Sequence, residues 1–220
     1  MQRSKIILFI LTIAIIGFVA AQFIWQSQQR QTASVIKDVR LLERDYSPSF
    51  GPKDAKVTLV EFFDPACETC KAFHPLVTQI KEKLPKDIRV VLRYAAFHQG
   101  SDQVITLLEA ARLQYLFMPV LEALYKGQAQ WAMHGKPDID KAWQIAKNAG
   151  LDIKKAKLDS VSDKIKQRLA QDAKDIEQLG VQKTPSFYVN GKPLTVFGAQ
   201  ELVDLVQSEF ERKPQLKDAD

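Results

Sequence analysis

The 220-residue chain contains two cysteines, Cys67 and Cys70, and no others. It therefore has no separate structural disulfide, and any disulfide chemistry has to involve this pair.

The net charge of the chain is also small beyond the amino terminus. The first 30 residues carry three basic and no acidic side chains, and the remainder carries 28 basic and 26 acidic ones. This balance does not indicate a nucleic-acid-binding surface, so we expect no nucleic acid among the partners.

One long apolar run is present, and it lies at the amino terminus. Twenty mostly apolar, uncharged residues extend from Ile6 to Trp25, after Arg3 and Lys5. About twenty such residues suffice to span a bilayer as a helix, and the preceding basic residues favour a cytoplasmic amino terminus. The alternative is a cleaved signal peptide. Its apolar region usually runs about 7–15 residues, so the greater length here favours an uncleaved anchor.

These features predict a single-pass protein of the inner (cytoplasmic) membrane. Its main domain would face the periplasmic or extracellular side, where disulfides form and persist. Breaker residues such as Ser47-Pro48 mark the start of that domain. The predicted segments are an anchor or uncleaved signal at 1–26, a tether at 27–46, the domain at 47–213 and a polar tail at 214–220.

The two cysteines lie where a strand gives way to a helix. Val57 to Phe63 is apolar on both faces, as in a covered parallel strand. The apolar residues after the cysteines recur at helical spacing. Because the first helical turn has free N–H groups and the positive end of the helix dipole, a thiolate there is stabilised. We expect Cys67 to be the exposed, acidic sulfur and Cys70, one turn deeper, to close the disulfide.

A metal site is the alternative interpretation of the same residues. Thiolates suit Cu(I) and Zn(II), and His74 shares the helix face of Cys67 and Cys70. Zinc usually takes four ligands, however, and the chain has no further cysteine. We therefore predict no metal and no other cofactor, and keep a Cu(I)- or Zn-binding protein as the alternative.

The segment from Leu59 to Pro75 resembles the active-site segment of the thioredoxin superfamily, in particular its DsbA-like branch. Glu61 stands six residues before the first cysteine, Phe62-Phe63 follow it, and Pro75 stands five residues after the second cysteine. The resemblance implies that Glu61 is a buried acid. Burial raises the pKa of a carboxyl group, and we favour a proton-relay role towards Cys70.

A second signature lies near the carboxyl end. Thr184-Pro185 precedes a predicted strand at 186–189, and Asn190-Gly191 is a hairpin signal before a second predicted strand at 193–197. The resemblance implies that Thr184 and Pro185 form a cis-proline loop that faces the cysteines. Such a loop binds the substrate backbone as an added strand.

We therefore predict an α/β protein with a thioredoxin fold. Its central mixed four-stranded sheet would carry helices on both faces. A helical insertion at about 101–179 would lie between the second and third core strands, as the resemblance implies. The many Lys and Asp side chains between residues 152 and 175 indicate a solvated helix face.

The resemblance implies a thiol:disulfide oxidoreductase that acts on exported, cysteine-containing proteins, with a membrane redox partner that resets the pair. We favour a disulfide-forming oxidase; a reductase or isomerase would use the same residues. Glu68 and Thr69, between the cysteines, should tune the direction. DsbA-like oxidases often carry a histidine there, whereas the Glu68 carboxylate opposes a thiolate on Cys67. We predict a milder oxidant than a histidine-containing site.

Overall fold

The computed structural model describes residues 15–19, 22, 36, 38–133 and 136–212. The chain divides into two compact units, residues 1–35 and 36–220. In the first unit, residues 15–19 and residue 22 are helical. Within the described ranges, no helix combines the length and apolarity needed to cross a membrane. The predicted anchor at 1–26 lies mostly outside those ranges, and the predicted tail at 214–220 lies entirely outside them.

The larger unit is built on a mixed five-stranded sheet. Its strands are β1 (Ser49–Phe50), β2 (Val57–Phe63), β3 (Ile88–Tyr94), β4 (Ser186–Val189) and β5 (Lys192–Pro193). Their order across the sheet is β1-β3-β2-β4-β5. The central strands β2 and β3 are parallel, and every other pair is antiparallel. Helices cover both faces of β2, which explains why the strand is apolar along almost its whole length.

The helices of this unit are α1 (Val39–Leu42), α2 (Glu68–Lys83), α3 (Ser101–Arg112), α4 (Phe117–Lys126), α5 (Gln128–Trp131), α6 (Ile139–Asn148), α7 (Ile153–Ser160), α8 (Asp163–Leu179) and α9 (Ala199–Glu211). Helix α2 connects the parallel strands β2 and β3. The six helices from α3 to α8 all lie between β3 and β4, so the predicted helical insertion is confirmed.

The sheet edges differ from the prediction. The extra strand β1 pairs with Val90 and Val91 of β3, and two residues are too few to leave a periodic pattern in the sequence. The second predicted strand of the carboxyl-terminal hairpin is shorter than 193–197. Beyond Pro193 the N–H of Leu194 makes one more bond, 2.9 Å to the Phe187 carbonyl.

The hairpin turn itself is confirmed. Asn190 and Gly191 connect β4 to β5 with φ values of 47° and 81°. Two successive residues with positive φ are typical of the two-residue turn that matches the twist of a hairpin, and Asn-Gly is its preferred sequence. The pairing of β4 with β2 places the Thr184-Pro185 loop, which precedes β4, next to the end of β2.

Residues 38–46, predicted as the end of the tether, pack on the domain instead. Leu42 is 2% exposed. Arg44 forms an ion pair with Asp175 of α8, and the Tyr46 hydroxyl donates to Asp172 at 2.7 Å. The N–H of Ile36 also reaches the Gly191 carbonyl at 2.8 Å. The packed domain therefore includes residues before its predicted start at residue 47.

The same ion pairs correct the prediction of a fully solvated helix face between residues 152 and 175. Asp172 and Asp175 of α8 are buried, and both contact the fully buried guanidinium of Arg93, at 2.8 and 2.6 Å. A buried cation is costly unless it is paired and hydrogen-bonded. Arg93 is part of the core strand β3, so its counter-charges have to come from the helix that covers that strand.

Candidate functional site

The site begins where β2 ends. Residues 64–66 turn the chain, and Cys67 is the N-cap of α2 in an extended conformation. Its Sγ accepts a hydrogen bond from the N–H of Cys70 at 3.4 Å. An N-cap side chain normally satisfies a free N–H of the first helical turn. Cys67 takes that role with a sulfur atom and lies one residue before the helix.

The surroundings of Cys67 favour its thiolate. A hydrogen bond from the Cys70 thiol is the main cause, and the Thr184 side chain and the N–H groups of Cys70 and Thr69 add to it. Burial acts in the opposite direction, and the balance lowers the pKa of Cys67 to about 5. Cys67 is only 5% exposed, so the prediction of an exposed sulfur is wrong in the reduced protein. The loop that contains Thr184 covers it.

Cys70 lies deeper than Cys67 and is fully buried. Burial is the main cause that raises the pKa of its thiol, and the hydrogen bond to Cys67 and the charge of Glu61 act in the same direction. The N–H of Asp64 lies 3.5 Å from its Sγ. The two sulfurs therefore differ strongly in acidity: at neutral pH Cys67 favours the thiolate, and Cys70 keeps its proton.

Glu61 is a buried acid in the middle of the sheet. It lies on β2 between Leu92 of β3 and Phe187 of β4, and its exposure is 3%. Burial raises the pKa of its carboxyl group to about 8, and the negative charge of Cys67 contributes to the rise. A neutral, protonated carboxyl group is therefore favoured at pH 7.

The Thr184-Pro185 loop meets the cysteines from the other side. The peptide bond between Thr184 and Pro185 is cis. When it is protonated, the Cys67 thiol donates to the Thr184 carbonyl, with 3.3 Å between sulfur and oxygen. A cleft of about 300 Å³ lies beside this loop, and its lining includes Pro185, Phe187 and Phe197.

The remaining predicted residues lie around the helix start. Glu68 and Thr69 are exposed in the first turn of α2. His74 is half-buried, its ring centroid lies 5.2 Å from that of Tyr125, and burial lowers its imidazole pKa. Among the residues that the structure describes, no three His, Cys, Asp or Glu side chains gather as a metal site would require. The alternative trio of His74 with both cysteines therefore does not form there.

Asp64 is a site residue that the sequence pattern did not reveal. Its buried carboxylate accepts hydrogen bonds from the N–H groups of Phe97 and His98, at 2.8 and 2.9 Å, and from the Ser101 hydroxyl. His98 is half-exposed and adds a contact of 2.9 Å through Nδ1. The hydrogen bonds of Asp64 thus connect the turn before Cys67 to the loop after β3.

Gln128 of the helical insertion is a second such residue. Its side-chain amide donates to the carbonyls of Pro65 and Cys67, both at 3.0 Å. The signal that could have found it is weak, because a glutamine within an apolar helical block indicates no particular partner. The contact spans more than sixty residues of sequence.

The sequence model of the family described as Thioredoxin matches residues 43–207. The chain belongs to the thioredoxin family. A crystal structure of a thioredoxin-like oxidoreductase from Silicibacter pomeroyi DSS-3 is similar to it, with 27% identity and a TM-score of 0.69. The superposition covers 81% of this chain and all of that one. The predicted thioredoxin fold is therefore confirmed.

Two curated proteins are similar in sequence to this chain of the thioredoxin family. Disulfide bond formation protein D from Bacillus subtilis is 25% identical over 189 residues, which are 76% of this chain and 78% of that protein. The Na(+)/H(+) antiporter NhaA of Herminiimonas arsenicoxydans is 28% identical over 144 residues. That match covers 66% of this chain, and the chain spans only 22% of the antiporter. The resemblance to the DsbA-like branch is confirmed, and the antiporter match concerns a part of a much longer protein.

Proposed function

We propose that this chain is a DsbA-like thiol:disulfide oxidoreductase that forms disulfides in exported proteins through Cys67 and Cys70. The observation that carries the proposal is the asymmetry of the two sulfurs. Cys67 caps a helix and has a pKa lowered to about 5, whereas burial raises the pKa of Cys70. A stabilised thiolate favours the reduced form of the pair, which makes its disulfide an oxidant.

The reaction starts from the Cys67–Cys70 disulfide. A substrate thiolate attacks Sγ of Cys67, forms a mixed disulfide, and releases Cys70 as a thiolate that takes up a proton. A second substrate thiolate then attacks the substrate sulfur of the mixed disulfide. The substrate leaves with a new disulfide, and Cys67 leaves as a thiolate. Two electrons pass from the substrate to the pair, and a redox partner has to remove them.

Glu61 supplies the proton in this scheme. Its carboxyl group has a pKa raised to about 8, so it holds a proton at neutral pH. Cys70 becomes a thiolate at a buried position where its charge is unfavourable, and the charges of Glu61 and Cys70 influence each other. Proton transfer from Glu61 to Cys70 removes that charge. Running the steps backwards requires Glu61 to take the proton again.

Thr184 and Pro185 are proposed to hold the substrate. The Thr184 carbonyl already lies 3.3 Å from the attacked sulfur, so a substrate strand paired with this loop would have its cysteine beside Cys67. The adjacent cleft, lined in part by Phe187 and Phe197, offers an apolar wall for a neighbouring substrate side chain.

The proposed cellular location and partners of the chain follow from its sequence. Residues 1–26 anchor the chain in the inner membrane, and the thioredoxin-fold domain that follows faces the periplasmic or extracellular side. Its partners there are exported cysteine-containing proteins and a membrane redox partner. The proposal includes no bound cofactor or metal.

The in-cell redox state of the pair tests the direction of the reaction. Cells that express the chain are quenched in acid, and free thiols are alkylated with a reagent of known mass. The chain has two cysteines, so an intact mass shows either no label or two labels. A mostly oxidised pair supports the oxidase, and a mostly reduced pair supports the alternative reductase or isomerase.

Purified protein separates the oxidoreductase from the metal-binding alternative. The oxidised domain should convert a dithiol peptide into its disulfide, and Cys67→Ser should abolish this. Cys70→Ser, given the disulfide form of the peptide, should accumulate the mixed disulfide, because Cys67 attacks the peptide disulfide and no Cys70 thiol is present to release the peptide. Stoichiometric copper or zinc after purification, together with no turnover, would instead favour metal binding. Among the described residues no group of three His, Cys, Asp or Glu side chains could hold such an ion.

A further inference from the structure

Gln128 contacts the loop that presents Cys67, although it belongs to the helical insertion. The side chain is 3% exposed. Its Nε2 lies 3.0 Å from the Pro65 carbonyl and 3.0 Å from the Cys67 carbonyl. Both hydrogens of the amide are therefore donated to carbonyls of one short loop. A buried side-chain amide with both hydrogens paired is strongly constrained in position.

The short helix α5 that carries Gln128 is itself held firmly. Trp131 is fully buried, and its indole N–H donates to the Leu124 carbonyl at 2.9 Å. Gly127, just before the helix, packs closely on α6: a Cβ there would lie 2.6 Å from Cδ1 of Ile145. These contacts restrict the position of α5 and therefore the position of the Gln128 amide.

The two carbonyls lie on either side of Ala66 and control how Cys67 is presented. The Cys67 carbonyl also accepts the N–H of Lys71 at 3.1 Å, the first backbone bond of α2. Because peptide groups are planar, fixing the carbonyls of Pro65 and Cys67 limits rotation about the bonds between them. Those rotations determine whether the sulfur stays 3.4 Å from the Cys70 N–H.

We propose that Gln128 is a positioning residue for disulfide exchange: it holds the loop at residues 65–67 so that the Cys67 sulfur stays at the start of α2 and beside Thr184. The inference rests on the proposed function and extends it to the helical insertion. Without the amide, two carbonyls lose a partner, and the sulfur is free to leave the N–H groups that stabilise its charge. The Cys67 thiolate would then be less stable, and the disulfide a weaker oxidant.

Gln128→Met tests this proposal, because methionine keeps the length and apolar bulk of the side chain but donates no hydrogen bond. Gln130→Met is the matched control, since Gln130 lies on the same helix and is exposed. Three quantities are measured on each full-length protein: the pH profile of Cys67 alkylation, the redox equilibrium with glutathione, and the melting temperature.

We expect Gln128→Met to raise the Cys67 pKa by about half a unit or more, and to lower the equilibrium constant for reduction of the disulfide about threefold. Gln130→Met should match the wild type in both. A lower melting temperature with an unchanged pH profile and equilibrium would overturn the proposal, because a purely structural role predicts that result. If Gln128→Met does not fold, Gln128→Asn, whose shorter amide cannot reach both carbonyls, decides by the same two readouts.

The wild-type measurements separate this inference from the proposed function. If the wild-type thiol titrates like an ordinary cysteine and its disulfide oxidises no dithiol peptide, the proposed function fails. If the wild type is active and acidic at Cys67 but the Gln128 variants share its pH profile and equilibrium, only the role of Gln128 fails.

Discussion

The sulfur of Cys67 lies 3.3 Å from the carbonyl oxygen of Thr184, although 117 residues separate the two in sequence. This contact joins the start of α2 to the loop before β4, and Cys67 is only 5% exposed. A substrate cysteine therefore has to enter between the helix and this loop. The loop limits access to the sulfur, and the hydrogen bonds around the sulfur favour its negative charge.

The acidity of Cys67 should appear in a pH titration of the reduced protein. We expect its thiolate to form with a pKa of about 5 instead of the ordinary 9.0, because hydrogen bonds from Cys70 and Thr184 stabilise the anion. The ultraviolet absorbance of the thiolate and the rate of alkylation both report it. Cys67→Ser supplies the baseline, and a midpoint near that of a free cysteine would contradict the assignment.

The same shift should make the stability of the reduced protein depend on pH. A depressed pKa in the folded state contributes stability that is fully present above about pH 9 and is lost as pH falls through about 5. Urea unfolding of the reduced wild type and Cys67→Ser at several pH values measures this contribution as their difference. The wild-type advantage should grow from pH 5 to pH 9; a constant difference would mean that folding leaves the thiol pKa unchanged.

Glu61→Gln should stabilise the protein at high pH and slow its chemistry. The carboxyl pKa rises from 4.5 to about 8, so the favourable contribution of the protonated group is fully present below pH 4.5 and is lost as pH rises through about 8. The glutamine variant has no such loss and should be more stable by on the order of 2–4 kcal/mol at pH 8 and above, with little difference at pH 4.5. Urea unfolding at the two pH values measures this.

The same variant should slow the step that changes the protonation of Cys70 by at least about tenfold, measured as formation of the mixed disulfide between the oxidised protein and a peptide thiol. Glu82→Gln, an exposed position near the end of α2, is the matched control for both measurements. Identical pH profiles for wild type and Glu61→Gln would show that Glu61 is not the buried acid of the site.

Glu68→His should make the disulfide a stronger oxidant. The change removes a carboxylate beside Cys67 and adds a group that can carry positive charge, so the thiolate and hence the reduced form gain stability. We expect a potential about 10–30 mV more positive in a glutathione titration, where a tenfold change in the equilibrium constant corresponds to about 30 mV. Glu82→His places the same change at the other end of the helix and should leave the potential as it is. Equal potentials for Glu68→His and wild type, or the reverse order, would refute this prediction.

Arg93→Met should strongly destabilise the domain without altering the cysteine pair. It leaves Asp172 and Asp175 buried without the cation that both contact, a loss that typically costs about 3–5 kcal/mol. Arg89→Met on the same strand is the comparison, since Arg89 pairs with Glu43 in a partly exposed position and should cost about 1 kcal/mol or less. Urea unfolding gives both values. Adding Asp172→Asn and Asp175→Asn to Arg93→Met should recover part of the loss, and no recovery would show that charge is not the cause.

Features encoded by neighbouring residues were predictable. The start of α2 at the cysteine pair, the span of β2 and the Asn190-Gly191 turn all follow from spacing or turn preferences within a few residues. The cis bond at Pro185 was expected from the family resemblance alone. Few X-Pro bonds are cis in folded proteins, so the residues themselves gave no reason to expect one. Spacing alone would have favoured the trans form.

The chain's sequence by itself determined which residues can do the chemistry: one pair of cysteines at a helix start, an acid within an apolar strand, and a Thr-Pro loop before a hairpin. Tertiary structure decided what surrounds them. It brought Thr184 and Gln128 onto Cys67, paired Arg93 with α8, and packed residues 38–46 on the domain. These contacts join residues distant in sequence, and they form because buried polar groups need partners wherever the fold supplies them. Local periodicity carries no information about such partners.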